Sequence, residues 1–135
     1  MLGVTEPEDN RDELTIEEDP TLESANLDQP AAIHTIIDLW GGDDLIEMLE
    51  WLGVENRFDA NDAPILILHG TDDQVVDFSV AETLVQEYEE TGVAYELIPL
   101  DGEPHGAWDA TVDGKTLSDL IFEFVVEQQE LVVEN

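Results

Sequence analysis

An α/β domain with a short, mainly parallel sheet and flanking helices is the fold class this sequence predicts. Three observations carry that expectation. Ile65-Leu66-Ile67-Leu68 is an unbroken apolar run bounded by Pro64 and by His69-Gly70, the pattern of a central strand covered on both faces. Strand-like and helix-like segments alternate along the chain from Pro30 to its end, as in units that cross over between parallel strands. The strand-like segments also run into turns bearing carboxylates or a histidine, and chemistry in open α/β sheets collects where strands end.

The elements follow in order. Residues 1–29 are acid-rich, carry Pro7 and Pro20 and have only scattered apolar positions, so they read as an acidic arm, and residues 30–135 as the folded unit. Ile33 to Trp40 is β-branched and stopped by Gly41-Gly42, which predicts a first strand. Asp43 or Asp44 can cap a helix whose stripe is Leu45, Met48, Leu49 and Leu52, closed by Gly53. Trp51 falls off that stripe. The apolar strand Ile65–Leu68 comes next, and its turn carries Asp72 and Asp73. Ser79-Val80-Ala81-Glu82 reads as a capping box, opening a helix with Ala81, Leu84, Val85 and Tyr88 inward and Thr91-Gly92 at its end. Val93 to Leu100 is the third strand, with Pro99 pointing to a strand end or an edge. The loop Asp101 to Gly114 holds His105, and Thr116 with Asp119 caps a last helix striped by Leu117, Leu120, Ile121, Phe124 and Val125.

Three parallel strands with three helices leave sheet surface uncovered, and an uncovered edge invites another chain. Self-association through that edge, as a homo-oligomer, is the expectation. No apolar run approaches the roughly 20 residues that span a bilayer, and the acidic N-terminus lacks the regions of a signal peptide. The chain reads as soluble, with no compartment fixed: neither a cytoplasm nor secretion is excluded. Without cysteine there are no disulfides and no thiolate metal sites.

Charge is the extreme quantity. Thirty-five acids against Lys115, Arg11 and Arg57 give a formal charge of -32. That excludes nucleic acid and anionic membrane as partners, since phosphate contacts need clustered cations. Disorder is not implied, because 42% of the residues are apolar and fall in periodic segments. A salt-adapted (halophilic) protein is the favoured reading, with an ordinary acidic protein as the plain alternative. A calcium binder has no Asp-x-Asp-x-Asp-Gly loop to support it.

The chemistry-bearing residues are an acid and a base at two strand ends. His69-Gly70-Thr71-Asp72-Asp73-Gln74-Val75-Val76 resembles the His-Gly-x-x-Asp-x-x-Val strand end of α/β-hydrolases, and Pro104-His105-Gly106 resembles the histidine loop of the same superfamily. From about Ala31 to Glu130 the chain is similar to the C-terminal half of a serine carboxylesterase of the lipase and feruloyl or acetylxylan esterase kind. The resemblance implies a partial α/β-hydrolase fold with a three-stranded sheet. It also implies Asp73 as triad acid and His105 as triad base, in the chain order Asp then His. Asp72 falls where that pattern varies, and Asp77 stands where proline is common. Trp40-Gly41-Gly42 looks like another strand end of the superfamily. Trp40 and Trp108 are candidates for lining the pocket of a small ester, with packing as the plain alternative. His69 is expected to bond backbone near the site and His34 to be an ordinary strand residue. No metal or cofactor is implied.

The departure is the nucleophile. No Gly-x-Ser-x-Gly elbow occurs: Ser24, Ser79 and Ser118 sit in other contexts, and a glycine-rich oxyanion loop is also missing. Met1-Leu2-Gly3 resembles the tail of the helix that follows such an elbow. Two functions from different classes therefore stand: an ester hydrolase's C-terminal portion, supplying acid and histidine to a serine from elsewhere, or a truncated, non-catalytic remnant acting only by interaction or oligomerisation.

Overall fold

The computed structural model describes residues 33–41 and 58–133. The acidic arm, the helix expected over 43–53 with Trp51, and the cations Arg11 and Arg57 lie outside them. Within them the order is β1 (Ile36–Leu39), β2 (Ile65–Gly70), α1 (Phe78–Thr91), β3 (Tyr95–Leu100), the short strands β4 (Thr111–Val112) and β5 (Lys115–Thr116), and α2 (Leu117–Gln128).

The sheet order is β1-β2-β3, with β2 parallel to both neighbours. All six residues of β2 are buried, as an apolar run in the central position requires. Its side chains alternate between two cores. Leu66 and Leu68 join Trp40, Leu100, Leu117 and Phe124 under α2, whereas Ile65 and Ile67 join Ala81 and Tyr88 under α1. Each of these fully buried large side chains contributes roughly 1.5–3 kcal/mol relative to exposure. The expected inner faces of both helices hold: Ala81 and Tyr88 are buried with Leu84 and Val85 packed beside them, and Leu117 and Phe124 are buried with Leu120 and Ile121.

Element ends differ from the sequence expectation in instructive ways. The first strand is shorter than Ile33–Trp40 because Ile33 and His34 are exposed and Trp40 turns to φ 54. The third begins at Tyr95 and not at Val93, since the chain must first leave the left-handed Gly92 (φ 76) that ends α1. Helix α1 starts at Asp77 and not at Ser79. The Asp77 carboxylate accepts from both the backbone N–H (2.9 Å) and the hydroxyl (2.6 Å) of Ser79, which places the serine inside the first turn. Thr116 and Asp119 form the reciprocal capping box expected of α2. The stretch expected as loop before α2 contains an antiparallel hairpin, Val112 pairing with Lys115 across Asp113 and Gly114, both at positive φ. That is the geometry two-residue hairpins favour, and Asp-Gly is its sequence signal.

Two polar groups flank the α1-side core. Tyr88 donates its buried hydroxyl to the Ala63 carbonyl (3.2 Å), and burial, then the Asp62 and Asp38 carboxylates, push its phenol well above the ordinary value. Burial also raises the Asp38 carboxyl above 3.8, only partly offset by the Gly41 N–H and by His69. A carboxyl raised in this way opposes folding while charged, and the penalty disappears as pH falls through the raised value. Asp38→Asn retains an acceptor for Gly41 and removes the charge. It is expected to melt higher than the parent at neutral pH, with the gain vanishing below about pH 3.8, where the wild-type carboxyl is protonated folded and unfolded. Thermal melts of both proteins across that range check the sign.

Candidate active site

The site forms where β2 and β3 end side by side. Gly70, the last residue of β2, pairs with Leu100, the last of β3. Beyond them the two loops are sewn together by backbone. Thr71 N–H donates to the Leu100 carbonyl (3.0 Å) and Asp72 N–H to the Glu103 carbonyl (3.1 Å), while the Thr71 hydroxyl accepts from Gly102 N–H (2.8 Å). Approach this close needs glycine at position 70: a Cβ there would overlap the Glu103 carbonyl oxygen. Gly70→Ala is therefore expected to force the loops apart, destabilise the fold by about 2 kcal/mol or more, and weaken the pairing of Asp73 with His105. Chemical denaturation measures the first effect, and the imidazole proton spectrum the second.

The stitched loops bring Asp73 and His105 together across 32 residues of sequence, with His105 Nδ1 donating to Asp73 Oδ2 at 2.8 Å. The other oxygen of Asp73, Oδ1, accepts from the backbone N–H groups of Val75 (2.8 Å) and Val76 (3.0 Å). The carboxylate is shielded from solvent. Burial works to raise its pKa, but the Val76 and Val75 amides and His105 together outweigh it and hold the carboxyl below the ordinary range. Because a carboxylate can only accept, His105 carries its proton on Nδ1, which leaves the Nε2 lone pair as a base. The ring is 38% exposed, open to a group arriving from outside.

Two tryptophans adjoin this pair. Trp40 follows β1 with its backbone N–H on the Leu68 carbonyl (3.1 Å), is buried, and holds a positive φ of 54, an uncommon conformation for a bulky residue. Its ring centroid is 6.3 Å from that of His105 and 4.8 Å from that of Trp108, which meets it edge to face. Trp108 itself is 68% exposed. The Trp40 indole N–H is buried with no hydrogen-bond partner among the described residues. Asp73, His105, Trp40 and Trp108, all expected from sequence, thus converge. Asp72 is exposed at the loop surface, and His34 is exposed ahead of β1. Sequence reasoning gave no sign of the unpartnered indole, whose setting depends on a turn of the backbone at Trp40.

Ser79 is engaged in capping α1, and Ser118 lies in the first turn of α2. Among the described residues no group of three His, Asp or Glu side chains could hold a metal ion. No helix there is long and apolar enough to cross a membrane.

Comparison with solved structures places the fold. A truncated form of a carbohydrate esterase from gut microbiota superposes with a TM-score of 0.64 at 19% identity, over 79% of this chain and 46% of its own. A thermophilic esterase from Thermogutta terrifontis with propionate bound gives 0.57 at 22% identity, over 82% of this chain and 48% of its own. Esterase 2 of that organism, phosphonylated by cyclosarin, gives 0.54 at 25% identity over 89% and 48%. The chain spans about half the length of these structures, and no curated protein matches it. The fold is that of part of an α/β-hydrolase domain. Residues 33–130 match the family model of the prolyl oligopeptidases, within the α/β-hydrolase superfamily, and the chain belongs to that family.

Proposed function

We propose that this chain provides the acid and the histidine of a serine hydrolase acting on carboxylic esters, the serine coming from polypeptide outside these 135 residues. The observation that supports it most is the 2.8 Å bond from His105 Nδ1 to a shielded, amide-braced Asp73 carboxylate. That bond fixes the histidine tautomer a general base needs. In this reading His105 Nε2 takes the serine proton as the hydroxyl attacks the ester carbonyl. Asp73 stabilises the resulting imidazolium, and the same nitrogen returns the proton to the departing alcohol. Trp40 and the exposed Trp108 form the apolar wall against which the ester's acyl or alcohol group packs. Such acyl transfer calls on side chains and water alone, with no cofactor.

A fluorophosphonate probe tests the reading, because it traps activated serines covalently. The chain alone is expected to stay unlabelled. Expressed together with the sequence encoded upstream of Met1, it is expected to restore labelling at a serine within a Gly-x-Ser-x-Gly run, and His105→Ala should abolish it. Absence of any such serine upstream, with no labelling in any combination, would leave a non-catalytic remnant. Labelling of Ser24, Ser79 or Ser118 in the chain alone, lost with His105→Ala, would instead make it an autonomous enzyme.

A further inference from the structure

Besides the Tyr88 hydroxyl, two polar side chains are buried among the described residues, Asp73 and His69. His69 has no exposed surface, although it sits in the most apolar strand, where leucine or valine would pack at less cost. Its Nδ1 is buried with no hydrogen-bond partner among the described residues, an arrangement that costs roughly 1–3 kcal/mol. Some other contact must account for a histidine here. The contact is made by Nε2, which lies 2.9 Å from the Val76 carbonyl oxygen and 3.3 Å from Asp73 Oδ2. A carbonyl only accepts, so the His69 proton is on Nε2 and is donated to Val76. The edge-to-face packing of Phe78 on the ring, with centroids 5.8 Å apart, holds it in that orientation.

Val76 is thereby held from both sides, its N–H by Asp73 Oδ1 and its carbonyl by His69. We infer that His69 is a positioning residue: it anchors Val76 so that the Val75 and Val76 amides keep the Asp73 carboxylate turned with Oδ2 toward His105. A constellation stays in productive geometry only when the groups behind it are themselves fixed, and His69 is the side chain that fixes this turn from the strand. Its catalytic meaning rests on the reading proposed above, but the hydrogen bond it controls exists in the chain as it stands.

The test follows the Nδ1–H proton of His105 by NMR in the full chain with labelled imidazoles. His69→Gln places an amide nitrogen about where Nε2 lies, within reach of the Val76 carbonyl. His69→Asn places it only as far out as Nδ1, too short to reach. The downfield Nδ1–H resonance is expected in the wild type and to persist with unchanged water exchange in the glutamine variant. In the asparagine variant it should exchange about tenfold faster, the net worth of one hydrogen bond. Tyr88→Phe removes a different buried hydrogen bond under the same helix and controls for general loosening, so it should leave the resonance alone. Equal exchange in wild type and His69→Asn overturns the inference. So does a glutamine variant as fast as the asparagine one, or a Tyr88→Phe protein that matches it. A chain that completes no phosphonate-reactive enzyme yet shows the expected pattern keeps the positioning role and loses only the hydrolase reading.

Discussion

Asp73→Asn is expected to lower kcat of the completed hydrolase by about four orders of magnitude, measured with a chromogenic ester. The carboxylate does two things that asparagine cannot do together. It selects the Nδ1–H tautomer of His105, and it offsets the positive charge that appears on the ring when Nε2 takes a proton. The two backbone amides on Oδ1 hold the group in place, so the substitution should change chemistry more than fold. The pH dependence has a defined sign. The depressed carboxyl stays charged below the ordinary range, and its contribution to stability, present above that range, is lost as pH falls through the folded-state value. A loss of activity smaller than about tenfold would sink the role assigned to Asp73.

Salt should act on the whole chain as strongly. We infer salt adaptation from a formal charge of -32 in 135 residues. Lys115, paired with Glu123 at 2.6 Å, is the one lysine or arginine among the described residues. Charges of one sign repel over a screening length of about 30 Å at 0.01 M salt but only about 3 Å at 1 M. The fold is therefore expected to melt cooperatively in molar KCl and to be largely lost near 0.01 M, with the melting temperature climbing steadily between. An uncharged osmolyte at matched osmolality separates screening from general stabilisation by solute exclusion. A melting temperature that does not move between the two salt concentrations would count decisively against salt adaptation.

Much of the fold was legible because its signals are local and redundant. Ile65–Leu68 could hardly be anything but a covered strand, and it is the central one. The Thr116–Asp119 box is likewise where α2 begins. At the start of α1 the Ser79 box was expected, but the cap is Asp77, whose carboxylate satisfies both the amide and the hydroxyl of Ser79. The β4–β5 hairpin escaped because two-residue strands carry no periodicity, although Asp113-Gly114 is the turn signal that gives it away. For the site, the meeting of Asp73 and His105 was foreseeable from their places at strand ends. What holds them was not. The Gly102 bond to Thr71 and the squeeze of Gly70 against Glu103 depend on register between distant segments, whereas the bond of His69 to nearby backbone was expected and only its acceptor, Val76, was not.

The stitching of the two loops also has a kinetic side. Both strand pairs of the sheet are parallel, so each forms only after the intervening chain has crossed back, and such non-local pairing is slow. The contacts from Thr71 to Gly102 and from Asp72 to Glu103 span about thirty residues and lie at the far ends of β2 and β3. They cannot close until α1 has docked and the strands are in register. The meeting of Asp73 with His105 is thus expected among the last events of folding, and substitutions in these loops should quicken unfolding while leaving the folding rate nearly untouched.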